Sequence, residues 1–85
     1  MADIGSAVLT DHARGRMVRR GIDESEVRRI LAQPEAVLPD RPGRVVAQGL
    51  SGNHLLRVFV DIDRQPPEVV TAYRTSRIEK YRRSP

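Results

Sequence analysis

The stretch Arg44-Val-Val-Ala-Gln-Gly-Leu50-Ser-Gly-Asn-His54-Leu-Leu-Arg-Val-Phe-Val-Asp-Ile62 decides the fold. Arg44 to Leu50 reads as a strand, Ser51-Gly52-Asn53 as a hairpin turn, and His54 to Ile62 as the longest strand. Short β-branched and apolar runs on either side of a Gly-Asn pair are the pattern of a hairpin. Side chains alternate across a strand, so Leu56, Val58, Val60 and Ile62 share one face. Leu55, Arg57, Phe59 and Asp61 share the other. Leu55 and Phe59 indicate that this second face is partly covered too, which leaves Arg57 half-buried.

Downstream, Asp63 to Pro67 forms a turn and Glu68 to about Thr75 the last strand. Ser76 to Arg83 is a short helix or an extended tail. Upstream, Ala36-Val37-Leu38 is a short strand, joined to Arg44 by the loop Pro39-Asp40-Arg41-Pro42-Gly43. Before Glu35 the period is helical. Thr10 or Asp11 caps a first helix that runs to about Arg20, with Gly21 at its C-terminal end. Asp23 as N-cap and Glu26 three residues on make a capping-box-like pair, and Ile22 with Val27 makes a hydrophobic staple. Val27, Ile30 and Leu31 form the apolar stripe of this second helix, and Pro34 stops it. Residues 1–9 are a loose lead-in or a short strand over Ala7-Val8-Leu9. Two helices followed by an antiparallel meander of three to four strands give a single α+β layer domain, without repeats or a linker.

A chain of 85 residues holds one small core, here built mainly from Val, Leu and Ile, and such a domain gains from a stabilising partner chain. There are no cysteines, which excludes a disulfide framework and a Cys-based zinc site. The opening Met1-Ala-Asp-Ile-Gly lacks the pattern of a secretion signal, and no apolar run approaches a membrane span. A cytoplasmic protein with no membrane partner is the expectation. The segment Arg74 to Pro85 sets Arg74, Arg77, Lys80, Arg82 and Arg83 against the single acid Glu79, and so carries the whole formal net charge of +4. Only one of the basic residues is Lys. Genome composition can produce that bias, and so can selection for the planar, bidentate phosphate recognition that Arg provides. A pI near 10.6 predicts affinity for polyanions that weakens with salt.

Three groups of residues carry candidate chemistry. His12, Arg16 and either Arg19 or Arg20 recur at helical spacing along one face of the first helix, with Ala13 and Met17 on a neighbouring face toward the core. An imidazole one turn from a guanidinium is an acid–base group beside a phosphate clamp, or else part of a solvated basic face. Arg57 lies mid-strand and Arg44 opens the preceding strand, so the hairpin can bring them near one another. Arg57 either meets a ligand or pairs with Asp61 or an acid on a neighbouring strand, since a guanidinium within a sheet needs a partner or water. In the run Thr71-Ala-Tyr-Arg-Thr-Ser-Arg-Ile-Glu-Lys-Tyr81, Thr71 and Tyr73 share a strand face and Arg74 takes the opposite one. Tyr73 and Tyr81 can donate hydrogen bonds or stack on bases, while Arg74, Arg77 and Lys80 can neutralise phosphate. In the alternative, the tyrosines pack and the cations fray. Arg82 and Arg83 are expected to fray in either case. No residues are spaced for a transition-metal site, and neither a Gly-rich phosphate loop nor a Gly-x-Ser-x-Gly elbow occurs, so no cofactor is expected.

His12-Ala-Arg-x-Arg-Met-x-x-Arg-Gly-Ile, an acidic cap, Val27, Leu31 and Pro34-Glu35, closing on Thr71-Ala-Tyr-Arg and Lys80-Tyr81, resembles a widespread uncharacterised family of small bacterial domains. The resemblance covers about residues 10–82. That family is similar in fold to the RelE/ParE-like toxins, which implies a curved antiparallel sheet with any RNA site on its concave face. It further implies a metal-independent endoribonuclease of a toxin–antitoxin pair, held in check by an acidic antitoxin protein, or a non-catalytic relative that binds nucleic acid or a protein such as gyrase. Such a ribonuclease needs one group to deprotonate the 2′-hydroxyl, another to protonate the departing 5′-oxygen, and cations around the crowded phosphorus. The candidates are His12, Tyr73 and Lys80 for catalysis. For RNA binding they are Arg16, Arg20, Arg44, Arg57, Arg74, Arg77 and Tyr81.

Overall fold

A computed structural model describes residues 3–82. The central hairpin forms as its sequence dictates. Strand β3 (Arg44–Ser51) and strand β4 (His54–Asp61) pair antiparallel in continuous register, from Arg44 opposite Asp61 to Ser51 opposite His54. Gly52 takes φ 61° at the first turn position, where a primed hairpin turn requires a residue without a Cβ. Strand β5 (Glu68–Thr75) adds antiparallel to β4, and β2 (Ala36–Arg41) adds antiparallel to β3.

The sheet departs from the expected three- to four-stranded antiparallel meander. It has five strands in the order β1-β5-β4-β3-β2, and it is mixed because β1 (Val8–Leu9) runs parallel to β5. A two-residue strand has no period to read, and long-range contacts make it. Val8 N donates to the Pro67 carbonyl (2.9 Å) and Thr10 N to that of Val69 (3.3 Å), while Ala7 and Leu9 are buried in the core. Strand β2 is also longer than expected. It continues through Pro39, with a register shift between Pro39 and Arg41. Proline is tolerated there because β2 is an edge strand, where a missing N–H breaks no ladder.

Helix α1 (Asp11–Arg20) is capped by Thr10, whose hydroxyl accepts from Ala13 N (3.0 Å) and donates to the Val69 carbonyl (3.0 Å). One side chain therefore starts the helix and ties it to β5. Gly21 closes α1 at φ 65°. Helix α2 (Glu24–Ala32) begins at Asp23 as expected, but without a capping box: Asp23 makes no side-chain cap, and Glu26 turns away to Ser51 and Arg74. The staple residues Ile22 and Val27 are both buried. Ala13 and Met17 of α1 and Val27, Ile30 and Leu31 of α2 join the sheet residues Ala47, Leu56, Val58, Val60, Val69 and Ala72 in one core. Gly49 admits Ile30: a Cβ at residue 49 would stand 2.7 Å from the Ile30 Cδ1.

The residues after the last strand form a short helix, α3 (Ile78–Arg82), which lies across the opposite face of the sheet. Gln48 Nε2 donates to the Tyr81 carbonyl (2.9 Å), and Arg82 is not frayed but salt-bridged to Glu35 (2.6 Å). Val46, Gln48 and Leu55 on this second face are almost wholly buried. Arg83 lies outside the described residues.

Candidate functional site

The strand register lays out the second face row by row. Arg44 stands opposite Asp61, Val46 opposite Phe59 and then Thr71, and Gln48 opposite Arg57 and then Tyr73. Arg57 occupies the middle of this surface. Its Nε donates to Gln48 Oε1 (3.1 Å) and its Nη1 to the Tyr73 hydroxyl (2.8 Å). The Tyr81 ring stacks on its guanidinium at 4.1 Å, and the Phe59 and Tyr73 rings lie 5.6 and 5.8 Å away. Phe59 and Tyr73 meet edge to face with centroids 5.8 Å apart. Lys80 Nζ lies 5.3 Å from the other aromatic of the cluster, Tyr81. A half-buried guanidinium held by two hydrogen bonds and among three aromatic rings is fixed in orientation.

The two phenols are driven in opposite directions. Burial pushes the Tyr73 hydroxyl above its ordinary value, although the hydrogen bond from Arg57 opposes this. The neighbouring Tyr73 hydroxyl holds Tyr81 below its ordinary value, and the charges of Lys80 and Arg57 add to the effect. A pair of groups separated in this way can divide acid and base roles between them.

A second cluster adjoins the first. His12, Arg16, Arg44, Val70 and Thr71 line a depression of about 450 Å³. Val70 is the extra residue where the β4–β5 register shifts, and such a bulge re-aims neighbouring side chains. Arg16 Nε donates to His12 Nε2 over 2.9 Å. Arg20 crosses from α1 to β5, where its Nη1 donates to the Thr71 hydroxyl (3.2 Å) and the Ala72 carbonyl (2.8 Å). Thr71, which lines the depression, and Tyr73, which holds Arg57, are successive residues on one face of β5, so the two clusters are neighbours along that strand.

Not every candidate lies there. Arg74 projects to the helix-covered side, donating to the Gly21 carbonyl (2.9 Å) and to Glu26 (3.0 Å). The even–odd alternation of β5 forces this, and it sets Arg74 on the face opposite Thr71 and Tyr73. Glu26 is held below the usual carboxylate range, first by the Ser51 hydroxyl and then by Arg74. Arg44 and Arg57 do not meet, because the Val46–Phe59 row lies between them and places them about 13 Å apart along the strands. Asp61 pairs with Arg44 (2.6 and 3.3 Å) rather than with Arg57, and is held low by it. The Arg77 side chain is exposed; its backbone N–H caps back to the Thr75 hydroxyl (3.0 Å). Gln48 was absent from the expected set, yet it links Arg57 to α3. Its signal was one amide in an otherwise apolar alternation.

Among the described residues no three His, Asp or Glu side chains gather as a metal site, and no helix is long and apolar enough to cross a membrane. No curated protein and no solved structure matches the chain. Residues 9–74 match a family described as a domain of unknown function, DUF4258. That span includes His12, Arg16, Arg57, Thr71 and Tyr73 and stops before Lys80 and Tyr81. With most of its length inside the match, the chain belongs to the DUF4258 family.

Proposed function

We propose that this domain is a toxin-type, metal-independent endoribonuclease acting in the cytoplasm, with RNA laid across the face that bears Arg57 and Thr71. One observation carries the reading. Thr71 and Tyr73, neighbours on one face of β5, bring an imidazole–guanidinium pair next to a guanidinium–phenol pair. The first offers a proton acceptor and a phosphate clamp, the second an orienting cation and proton donors. In the proposed reaction His12 takes the 2′-hydroxyl proton and O2′ bonds to phosphorus. The P–O5′ bond breaks, and O5′ receives a proton from the Tyr73–Tyr81–Lys80 group. Arg16 and Arg57 hold the phosphate, and the products carry a 2′,3′-cyclic phosphate and a 5′-hydroxyl. DNA lacks the attacking hydroxyl and is spared. The motif resemblance to RelE/ParE-like toxins supports the same class of function. In such a system a small acidic antitoxin covering this face would compete with RNA.

The test is incubation of purified protein with end-labelled RNA and with DNA of the same sequence, beside folded His12→Ala and Tyr73→Phe variants. New 5′-hydroxyl ends from RNA alone, lost in His12→Ala and reduced in Tyr73→Phe, are expected. Equal cleavage by all three proteins would sink the assignment. A second reading has its own support. His12, Arg57 and Arg44 each already have an intramolecular partner, as in a rigid binding surface. A non-catalytic module would bind RNA, or a protein target such as gyrase, with salt-dependent affinity and leave RNA intact.

A further inference from the structure

Arg16 and His12 stand one helical turn apart on α1, and the contact between them has a definite sense. Arg16 Nε is the donor, so His12 Nε2 is the unprotonated ring nitrogen and its lone pair is filled. A nitrogen so occupied accepts no proton from a substrate. The group occupying it is a guanidinium, whose remaining N–H donors form a planar fork suited to phosphate. Three cations border this part of the surface, and they differ in what they would give up to meet an anion. Arg44 holds the Asp61 carboxylate through two contacts. Arg20 is spent on the Thr71 hydroxyl and the Ala72 carbonyl. Arg16 holds only a neutral imidazole, so an anion entering the depression redirects it at the least cost.

We propose that Arg16 gates His12. In the free protein it caps the imidazole, and a phosphate group entering the depression between α1, Arg44 and Thr71 draws the guanidinium away and frees Nε2. The gate needs only an anion of phosphate chemistry, while its service to catalysis rests on the ribonuclease reading above. With an RNA phosphodiester in place, the freed Nε2 takes the 2′-hydroxyl proton, O2′ bonds to phosphorus, and O5′ leaves with a proton from a phenol. Water then returns the protons, and no electron changes hands. The base is unmasked only when a phosphate is present to be attacked.

The test follows the ring nitrogens directly. The chain has two histidines, so His54→Gln protein labelled with 15N in its imidazole reports His12 alone. Spectra are taken at about pH 8, above the ordinary titration range of imidazole. Two probes are added in turn: inorganic phosphate, and a short single-stranded 2′-deoxy oligonucleotide that cannot be cut. The free protein is expected to show a protonated Nδ1 and a hydrogen-bonded Nε2, with the Nε2 signal moving saturably toward a free lone pair as anion is added. A response to both probes assigns the site to phosphate in general, and a response to the oligonucleotide alone assigns it to diesters within a chain. The response should vanish in Arg16→Gln. A protonated Nε2 in the free protein, no saturable change with either probe, or an unchanged response in Arg16→Gln would each overturn the gate. RNA that stays intact despite the response would reject the nuclease and keep the gate. Cleavage with an unmoved Nε2 would do the reverse.

Discussion

The two faces of the sheet come from the same strands and the same alternation, yet they are held together differently. On the helix-covered face Ala47, Leu56, Val58, Val60, Val69 and Ala72 meet Met17, Val27, Ile30 and Leu31 through shape and apolar burial alone. On the other face Gln48, Arg57, Tyr73 and Tyr81 meet through directed hydrogen bonds and a stacked ring. Cations are used differently as well. Arg74 on the helix side is consumed by Gly21 and Glu26, and Arg28 and Arg29 by the Ala7 and Leu50 carbonyls. On the other face Arg44 is paired with Asp61, while Arg57 is oriented by neutral groups and has no carboxylate partner among the described residues. One face is a foundation, and the other presents a guanidinium oriented by neutral groups, which is the surface proposed to receive RNA.

Substitutions that break the foundation should have the largest effect on stability. Ile30→Ala removes a fully buried side chain that lies over Gly49 and should cost about 2–5 kcal/mol, read from urea unfolding. A cost within experimental error would show that the helix-covered face is not the main core. Removing residues 76–85 strips α3 from the second face, taking the Tyr81 ring from Arg57 and the Tyr81 carbonyl from Gln48. A measurable loss of stability in the same unfolding experiment is expected. Unchanged stability would mean that α3 merely rests on the sheet.

A smaller effect sharpens the comparison through pH. Glu26 and Asp61 are both held below their ordinary values of 4.5 and 3.8, so the folded state binds their protons less readily than the unfolded chain does. Their contribution to stability is full above those values and is lost as pH falls through the depressed ones. Acid unfolding should therefore become shallower in Glu26→Gln and Asp61→Asn, whose midpoints would shift least with pH. The smallest effect is spectroscopic. With two tyrosines in the chain, absorbance near 295 nm should show Tyr81 ionising below 10.0 and Tyr73 above it. Tyr73→Phe should leave a single titration moved back toward the ordinary value, because the hydroxyl that holds Tyr81 low is gone. Coincident titration in the wild type would contradict the division of the phenols.

Much of this comparison was legible in the sequence, for physical reasons. Alternation through Leu55–Ile62 assigned both faces correctly, and it put Thr71 and Tyr73 together with Arg74 opposite. Helical spacing put His12 beside Arg16. What stayed hidden depends on contacts between distant segments. The short strand expected over residues 7–9 exists as Val8–Leu9, but two residues carry no period to show that it pairs parallel to β5, and β2 runs past Pro39 only because it lies at an edge. Local spacing also suggested the wrong partner for Asp61, since the choice between Arg44 and Arg57 is made by cross-strand register. Arg82, expected to fray, is instead held by Glu35, and Arg74 is held by Glu26, partners that come from the fold and not from local charge density.

The central claim is that Arg57, and not the equally basic Arg74 one face away, serves the RNA. It is tested by RNA cleavage rates for Arg57→Gln and Arg74→Gln, each measured on protein shown to be folded. The account predicts a loss of about 100-fold or more for Arg57→Gln, within the range that a positioned group contributes, and near wild-type cleavage for Arg74→Gln. Equal loss in both, or loss in Arg74→Gln alone, would contradict it.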